Sequence, residues 1–354
     1  MRICYVLAYR APDYIRTRSL LAALRALPGV ECYTAINSSE GLHRYRETLA
    51  QVAEIRRLYR PDLYLLGFRG HELYWPLKAL VGNSPIILDA MMSPAIALAE
   101  EDQYGFAGRL AARMLTPVEG RILRNAAFVL TDTKAHADAF AERYRLSPDR
   151  LAAVPVGAVE SAPLAQHPGA SPRLRVLFYG SFLPLHGVPL ILEAARELLD
   201  LPLDLDFIGA NRHAEQQIKG ALGRGRELHY RIRRWVPFES LIQTEIPAAD
   251  LCLGGPFGNT PQARRVVTGK TSQALAQCVP TVVGAAEFLP GFVDQKNCLI
   301  ARQGQPLDLV RALRWAFEHR ERLPGIGVAG RRLYEEKLSL AVVAGLLGNI
   351  LRKF

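Results

Sequence analysis

Residues 257–284, FGNTPQARRVVTGKTSQALAQCVPTVVG, decide how this chain is read. The stretch opens with Gly258, Asn259, Thr260 and Pro261, a loop that presents backbone N–H groups. Arg264, Arg265 and Lys270 follow, then a short helical pattern over 271–277, then the apolar run 279–284 with the character of a buried parallel strand. Free amides, fixed cations and a helix N-terminus ahead of a strand are what binding a phosphate requires: the cations neutralise the anion while the helix start supplies donors and a favourable dipole. The competing reading is a solvated cluster of surface cations.

Outward from this stretch the same strand–helix alternation fills the chain. Strands are predicted at 2–8, 31–35, 63–67, 85–89, 127–130 and 151–156, separated by helices at 13–27, 39–59, 73–81, 106–125 and 134–144. Residues 68–72 are expected to be loop, and 91–104 irregular and acidic. A Pro/Ala/Ser-rich stretch without periodicity, 161–173, has the composition of a linker. A second series follows: strands at 175–179, 205–208, 228–235, 251–253, 279–284 and 298–300, with helices at 188–199, 238–244 and 307–319. One last helix is predicted over 331–351, with Leu340, Val343 and Leu347 on its apolar stripe. Parallel strands need helical crossovers, so the pattern predicts an α/β protein of two doubly wound parallel-sheet domains, and ligands are expected beyond the C-terminal strand ends. That puts residues 8–10, 67–71, 89–93 and 131–136 on one rim of the first domain.

The composition is that of an ordinary globular protein: 354 residues, 49% hydrophobic and 22% charged. The five cysteines are scattered without a C-x-x-C pair, which speaks for buried thiols in a reducing compartment and against a disulfide or zinc framework. No apolar run approaches a membrane span, and MRICYVLAYR is too short for a signal peptide, so the expected location is cytoplasmic. A formal charge of +10 points to an anionic partner. Nucleic acid is not the expected one, because the arginines of 224–234 carry little aromatic interleaving and no nucleic-acid motif.

Three strings, in order and spacing, resemble the GT-B glycosyltransferases, and among them the retaining family 4 enzymes. VLFYGSFLPLHGVPLILEAA (176–195) is similar to that family's first C-domain strand, glycine loop and helix. KTSQALAQCVPTVVG (270–284) resembles its E-A-x-A-x-G-x-P-V-V signature, and RNAAFVLTDTKAHADAFAERY with VPVGA (124–144, 154–158) resembles the end of its N-terminal domain. The resemblance implies two Rossmann-like domains facing across a cleft: 1–165 for the acceptor, 172–330 for the nucleotide-sugar, and 331–354 as a helix packing back toward the N-terminal domain. It implies transfer of a sugar from a UDP- or GDP-sugar to a glycan, lipid-linked or small-molecule acceptor with retention, the nucleotide-sugar as co-substrate, and neither cofactor nor metal. The chain departs from the pattern at its paired glutamates: Gln273 stands at the second, ribose-binding position and Arg265 at the first, and His186 takes the place of the basic residue before the loop glycine.

Under this reading Lys270 and Arg265 stabilise the charge that grows on the departing diphosphate. Gly180, Ser181, Gly258, Asn259, Thr260, Arg264, Gln273 and Glu287 hold the donor. On the first domain His71 is expected to contact the donor sugar, with Asp89 and Asp132 on the acceptor side. A structural histidine at 71 and a loop-capping role for Asp89 stay open. The helix over 106–125 (FAGRLAARMLTPVEGRILRN) combines apolar and arginine faces, with Pro117 predicting a kink or two short helices. It either packs into the core with a solvated basic face or lies on an anionic membrane at the inner face. Two other classes remain: a GT-B protein that binds nucleotide or a partner without catalysis, which the changes at 265 and 273 favour, and a nucleotide-sugar epimerase.

Overall fold

The computed structural model describes residues 1–100, 105–158, 163–165, 171–223, 228–285 and 291–354. The chain forms two compact units: Met1–Gly157 with Leu340–Phe354, and Ala158–Ser339.

The first unit is a six-stranded parallel sheet, β1 (Arg2–Leu7), β2 (Glu31–Ile36), β3 (Leu63–Leu66), β4 (Ile86–Asp89), β5 (Phe128–Thr131) and β6 (Leu151–Ala153), in the order β2-β1-β3-β4-β5-β6. Its helices are α1 (Ile15–Ala26), α2 (His43–Tyr59), α3 (Tyr74–Val81), α4 (Pro94–Glu100), α5 (Gly105–Asn125) and α6 (Lys134–Tyr144). Side chains alternate across a strand, so β1 feeds two cores at once. Cys4 and Val6 pack with Tyr64, Leu66, Leu77 and Phe140 on one face; Ile3, Tyr5 and Leu7 pack with Leu20, Leu24 and Ile87 on the other. Burial on both faces is why these strands are continuous apolar runs.

Three sequence expectations are corrected here. Part of 91–104 is helical: Ser93 accepts the N–H of Ile96 at 3.0 Å and Pro94 supplies a preset φ, a good helix start in a stretch without strong apolar periodicity. The 3-10 turn Gly70–Leu73 replaces the expected loop before α3. α5 runs unbroken through Pro117, which lies on the exposed side, where water can take the carbonyl that its missing N–H leaves.

The second unit is also a six-stranded parallel sheet. Its elements are β7 (Leu174–Tyr179), α7 (Val188–Arg196), β8 (Leu203–Ile208), α8 (Arg212–Leu222), β9 (His229–Arg233), the single turn α9 (Phe238–Ser240), β10 (Leu251–Gly255), α10 (Gly269–Ala276), β11 (Thr281–Ala285), β12 (Leu299–Arg302), α11 (Pro306–Glu318) and α12 (Leu323–Lys337). Its order, β12-β11-β10-β7-β8-β9, reverses direction between β7 and β10. α8 is not anticipated from the sequence: only Ala214 and Ile218 are buried, so its apolar signal is thin, and Asn211 starts it by accepting the Ala214 N–H at 2.8 Å. The arginine-rich edge strand β9 is charge-paired, with Arg231 on Asp206, Arg233 on Glu245, and Arg234 after it on Glu215.

The helix expected over 331–351 is two helices. α12 ends at Lys337, Ser339 turns its hydroxyl onto the Glu335 carbonyl at 2.9 Å, and a separate helix, α13 (Leu340–Leu351), follows. α12 belongs to the second unit and α13 to the first, where Val343, Leu347, Ile350 and Leu351 join the core around Leu20 and Leu24.

Candidate functional site

In a doubly wound sheet the crevice opens where neighbouring strands send their connections to opposite faces. In the second unit that point lies between β7 and β10, and the loops leaving these strands are locked together by backbone. Gly180 follows β7 with φ +144° and donates its N–H to Ile208 O at 3.0 Å. The Gly258 N–H, after β10, donates to Leu185 O at 2.9 Å, and the Gly304 N–H, after β12, donates to Phe257 O at 2.9 Å. The contact leaves no room for side chains. A Cβ on Gly258 would stand 2.3 Å from Pro184 O, and one on Gly187, which is left-handed at φ +68°, would stand 2.6 Å from Gly258 N.

Into this corner comes the N-terminus of α10. Thr268 caps it, its hydroxyl donating to Gly254 O at 2.7 Å and accepting the Thr271 N–H at 3.3 Å. Lys270 is therefore in the first turn, and its side chain reaches back over the Phe178 ring toward Gly180. A Cβ on Gly180 would lie 3.5 Å from Lys270 Nζ and 3.4 Å from His186 Cε1. Lys270 is only 8% exposed, and burial pulls its pKa from 10.5 down to about 7. His186 is buried beside it; burial, and then the charge of Lys270, hold the imidazole well below its ordinary pKa, and Nδ1 accepts the Leu183 N–H at 3.3 Å. At neutral pH His186 is thus uncharged. Protonated Lys270 and the helix start make one electropositive corner with a glycine floor, where an anion relieves the cost of burying the ammonium.

The other sequence-predicted residues of this unit fall in two groups. Ser181, Asn259 and Arg264 are exposed around the corner; Arg264 donates to Asn259 Oδ1 at 2.7 Å, and Thr260 fixes the loop by accepting the Ala263 N–H at 3.1 Å. Arg265 is half-buried. Gln273 is buried one turn beyond Lys270, where its amide oxygen accepts the Tyr179 hydroxyl at 2.7 Å and ties α10 to the end of β7. Glu287 lies outside the described residues. His186 was legible only as the basic residue before Gly187, and its place next to Lys270 is a tertiary fact.

In the first unit, His71, Asp89 and Asp132 each have a separate partner. Asp89 is fully buried and both its carboxylate oxygens accept from Arg16, at 2.9–3.2 Å. Arg16 also donates to the carbonyls of Val154, Pro155 and Thr131. Asp132 Oδ1 lies 2.7 Å from His136 Nδ1, one turn into α6. His71 Nε2 stands 3.3 Å from Glu119 Oε1, off hydrogen-bond alignment, so neither ring nitrogen has a hydrogen bond among the described residues. Glu119 Oε2 accepts from Ser93 Oγ at 2.8 Å and from the Ala95 N–H at 3.1 Å. Burial raises the Glu119 pKa, but nearby His71 and these two bonds outweigh it and hold the carboxyl below its usual value. Near the strand reversal between β1 and β3, Tyr9, Tyr14 and Phe68 form an aromatic cluster with centroids 4.8–6.3 Å apart. Among the described residues no group of three or more His, Cys, Asp or Glu is gathered as for a metal.

No family model matches the chain, and no curated protein sequence matches it. Solved structures do. The sucrose-phosphate synthase from Thermosynechococcus elongatus aligns with a TM-score of 0.73 at 16% identity, covering 100% of this chain and 98% of that one. A glycosyltransferase from Rickettsia africae ESF-5 aligns at 0.71 and 10% identity, covering 99% and 98%. HepE from Anabaena, in complex with UDP-glucose, aligns at 0.70 and 12% identity over the full length of both. The two parallel six-stranded sheets with flanking helices match the GT-B architecture of these neighbours, and GT-B is the fold of this chain.

Proposed function

We propose that the chain is a glycosyltransferase using a nucleotide diphosphate sugar, UDP- or GDP-linked, as donor, with the diphosphate on the second unit. The observation that carries this reading is Lys270: a buried lysine in the first turn of a helix, aimed at a glycine corner on the strand-reversal point, has the Phe178 ring beneath it but no carboxylate partner among the described residues, and a diphosphate matches its charge. HepE, whose structure holds UDP-glucose, supports the same reading and favours uridine. As the bond to the anomeric carbon breaks, negative charge grows on the leaving diphosphate. Lys270 and the α10 start, with Arg264 and Arg265 beside them, stabilise that charge where it develops. The positive charge comes from side chains, so the reading includes no metal. His71, whose Nε2 stands 3.3 Å from Glu119 Oε1 without a hydrogen bond, is the first-unit group we assign to the reacting sugar. Retention and a glycan, lipid-linked or small-molecule acceptor complete the proposal.

One observation favours a second reading, nucleotide binding without transfer: the Gln273 amide oxygen is already taken by Tyr179, and Asp89 by Arg16, leaving fewer acceptors for sugar hydroxyls.

The test is thermal stability against UDP, GDP, CDP, dTDP and ADP, for wild type and Lys270→Ala. A ligand bound only by the folded state at a hundredfold excess over Kd adds about 2.7 kcal/mol. One nucleotide is expected to raise the melting temperature of wild type, and Lys270→Ala to bind it roughly 10–100-fold more weakly, as loss of a charge-assisted bond requires. No shift with any nucleotide ends the proposal. A shift without transfer or hydrolysis of the matching nucleotide-sugar selects the second reading.

A further inference from the structure

A helix on a globular protein turns its apolar stripe inward and its polar face to water. α5 does this only in part. Its inner face is small and mostly apolar: Gly108, Ala112, Ile122 and Leu123 are buried, with Glu119 held by Ser93. Its outer face is apolar too. Phe106 is 79% exposed, Leu110 50%, Met114 70% and Val118 51%. These four are spaced by four residues, which at about 100° per residue makes a single stripe drifting slowly around the helix. Arg109, Arg113, Arg121 and Arg124 are the charged residues exposed with it, and the helix has one carboxylate, Glu119, on its buried side. Trp75 of α3 stands half-exposed at the border, with the Arg121 guanidinium 5.6 Å from its ring centre.

We propose that this outward face of α5 lies in the headgroup region of an anionic lipid bilayer, parallel to its plane. Four large apolar side chains in one row exceed the scattered exposure expected of a solvated helix and have the size to enter the acyl boundary. The arginines decide the occupant. Arg109, Arg113 and Arg124 run along one edge of the stripe and Arg121 lies within it, and α5 itself places no acid on this side, which suits a continuous negative surface; the tryptophan at the edge has the apolar body and polar tip that favour the interface. A second copy fits poorly, because a twofold pairing through this face would set arginine rows against each other. Among the described residues no helix is long and apolar enough to cross a membrane, so the contact is one of lying on the surface. This inference stands apart from the sugar-transfer reading and neither needs the other.

The test is flotation of the full chain with vesicles of phosphatidylcholine alone and with about one third phosphatidylglycerol, at low and high salt, for wild type, Leu110→Glu with Met114→Glu, and Arg113→Gln with Arg121→Gln. Wild type is expected to float with the anionic vesicles, to stay in solution with the neutral ones, and to be weakened by salt. Each surface arginine contributes about fivefold to partitioning, so the arginine pair is expected to lose about 30-fold at low salt. The glutamate pair is expected to abolish flotation. All four positions are exposed, so melting temperatures should match wild type, which separates lost docking from lost folding. Equal binding to neutral vesicles, no binding to anionic ones, or unchanged binding by the glutamate pair overturns the proposal. So does a dimer by light scattering that the glutamate pair splits while vesicles are ignored.

Discussion

A lysine of ordinary pKa is charged in folded and unfolded chain alike at neutral pH and leaves stability flat. Lys270 is different, since its folded pKa is lowered to about 7 from the 10.5 it has when solvated. Between those values the unfolded chain binds more protons, so this group makes stability rise with pH from about 7 to 10.5; below 7 its full cost is present, at most about 5 kcal/mol. Lys270→Met is therefore expected to stabilise the ligand-free protein below pH 7 by a few kcal/mol and to flatten the rise, read as the difference between wild-type and variant denaturant midpoints across pH. A variant no more stable at pH 6 than wild type would show that the ammonium is well solvated. Lys270 was legible in sequence because a Gly-Lys pair before a short helix and an apolar strand is a local pattern. The Arg16–Asp89 pair was not: its partners are 73 residues apart, and only the fold turns an apparent rim carboxylate into a buried ion pair whose removal would strand an arginine.

Among the elements, the loops leaving β7, β10 and β12 form a tightly constrained contact. Gly258→Ala would put a methyl 2.3 Å from Pro184 O and 2.8 Å from Leu185 O, both backbone atoms, so the loops have to part. The expected cost is about 2 kcal/mol or more in urea unfolding, together with a loss of nucleotide-induced stabilisation. Retention of both would mean the loops move apart freely. The sequence makes this element readable as a glycine-rich loop, expected to bind an anion, but not as an interlock, since which backbone meets which depends on the β7–β10 adjacency. The helix α5 was likewise readable from its spacing, while the choice between core packing and an outward apolar row needed the exposure of Phe106 and Met114. Its one acid, Glu119, sits where the sequence shows only an exception to a basic pattern.

For the molecule as a whole, strand–helix alternation was enough to anticipate two parallel sheets, because parallel pairing admits few other topologies. The break between α12 and α13 was missed because the apolar stripe continues across it and Ser339 is a weak stop signal. That break decides how the chain is divided. Leu347 is fully buried in the first unit, and Leu347→Ala is expected to cost about 2–5 kcal/mol. Hydrogen exchange is expected to show the loss in β1 and α1, with the second unit's protection unchanged; equal loss in both units would mean they unfold as one. The division has a consequence during synthesis. Domains generally fold as they leave the ribosome, the earlier-made one first. Here residues 1–157 leave it first but lack the helix that closes their core until 340–354 have been translated, after every residue of the second unit. The nascent first unit therefore carries an open apolar flank around Leu20 and Leu24 for the whole time the second is being made, and that flank is where a chaperone has the longest opportunity to bind.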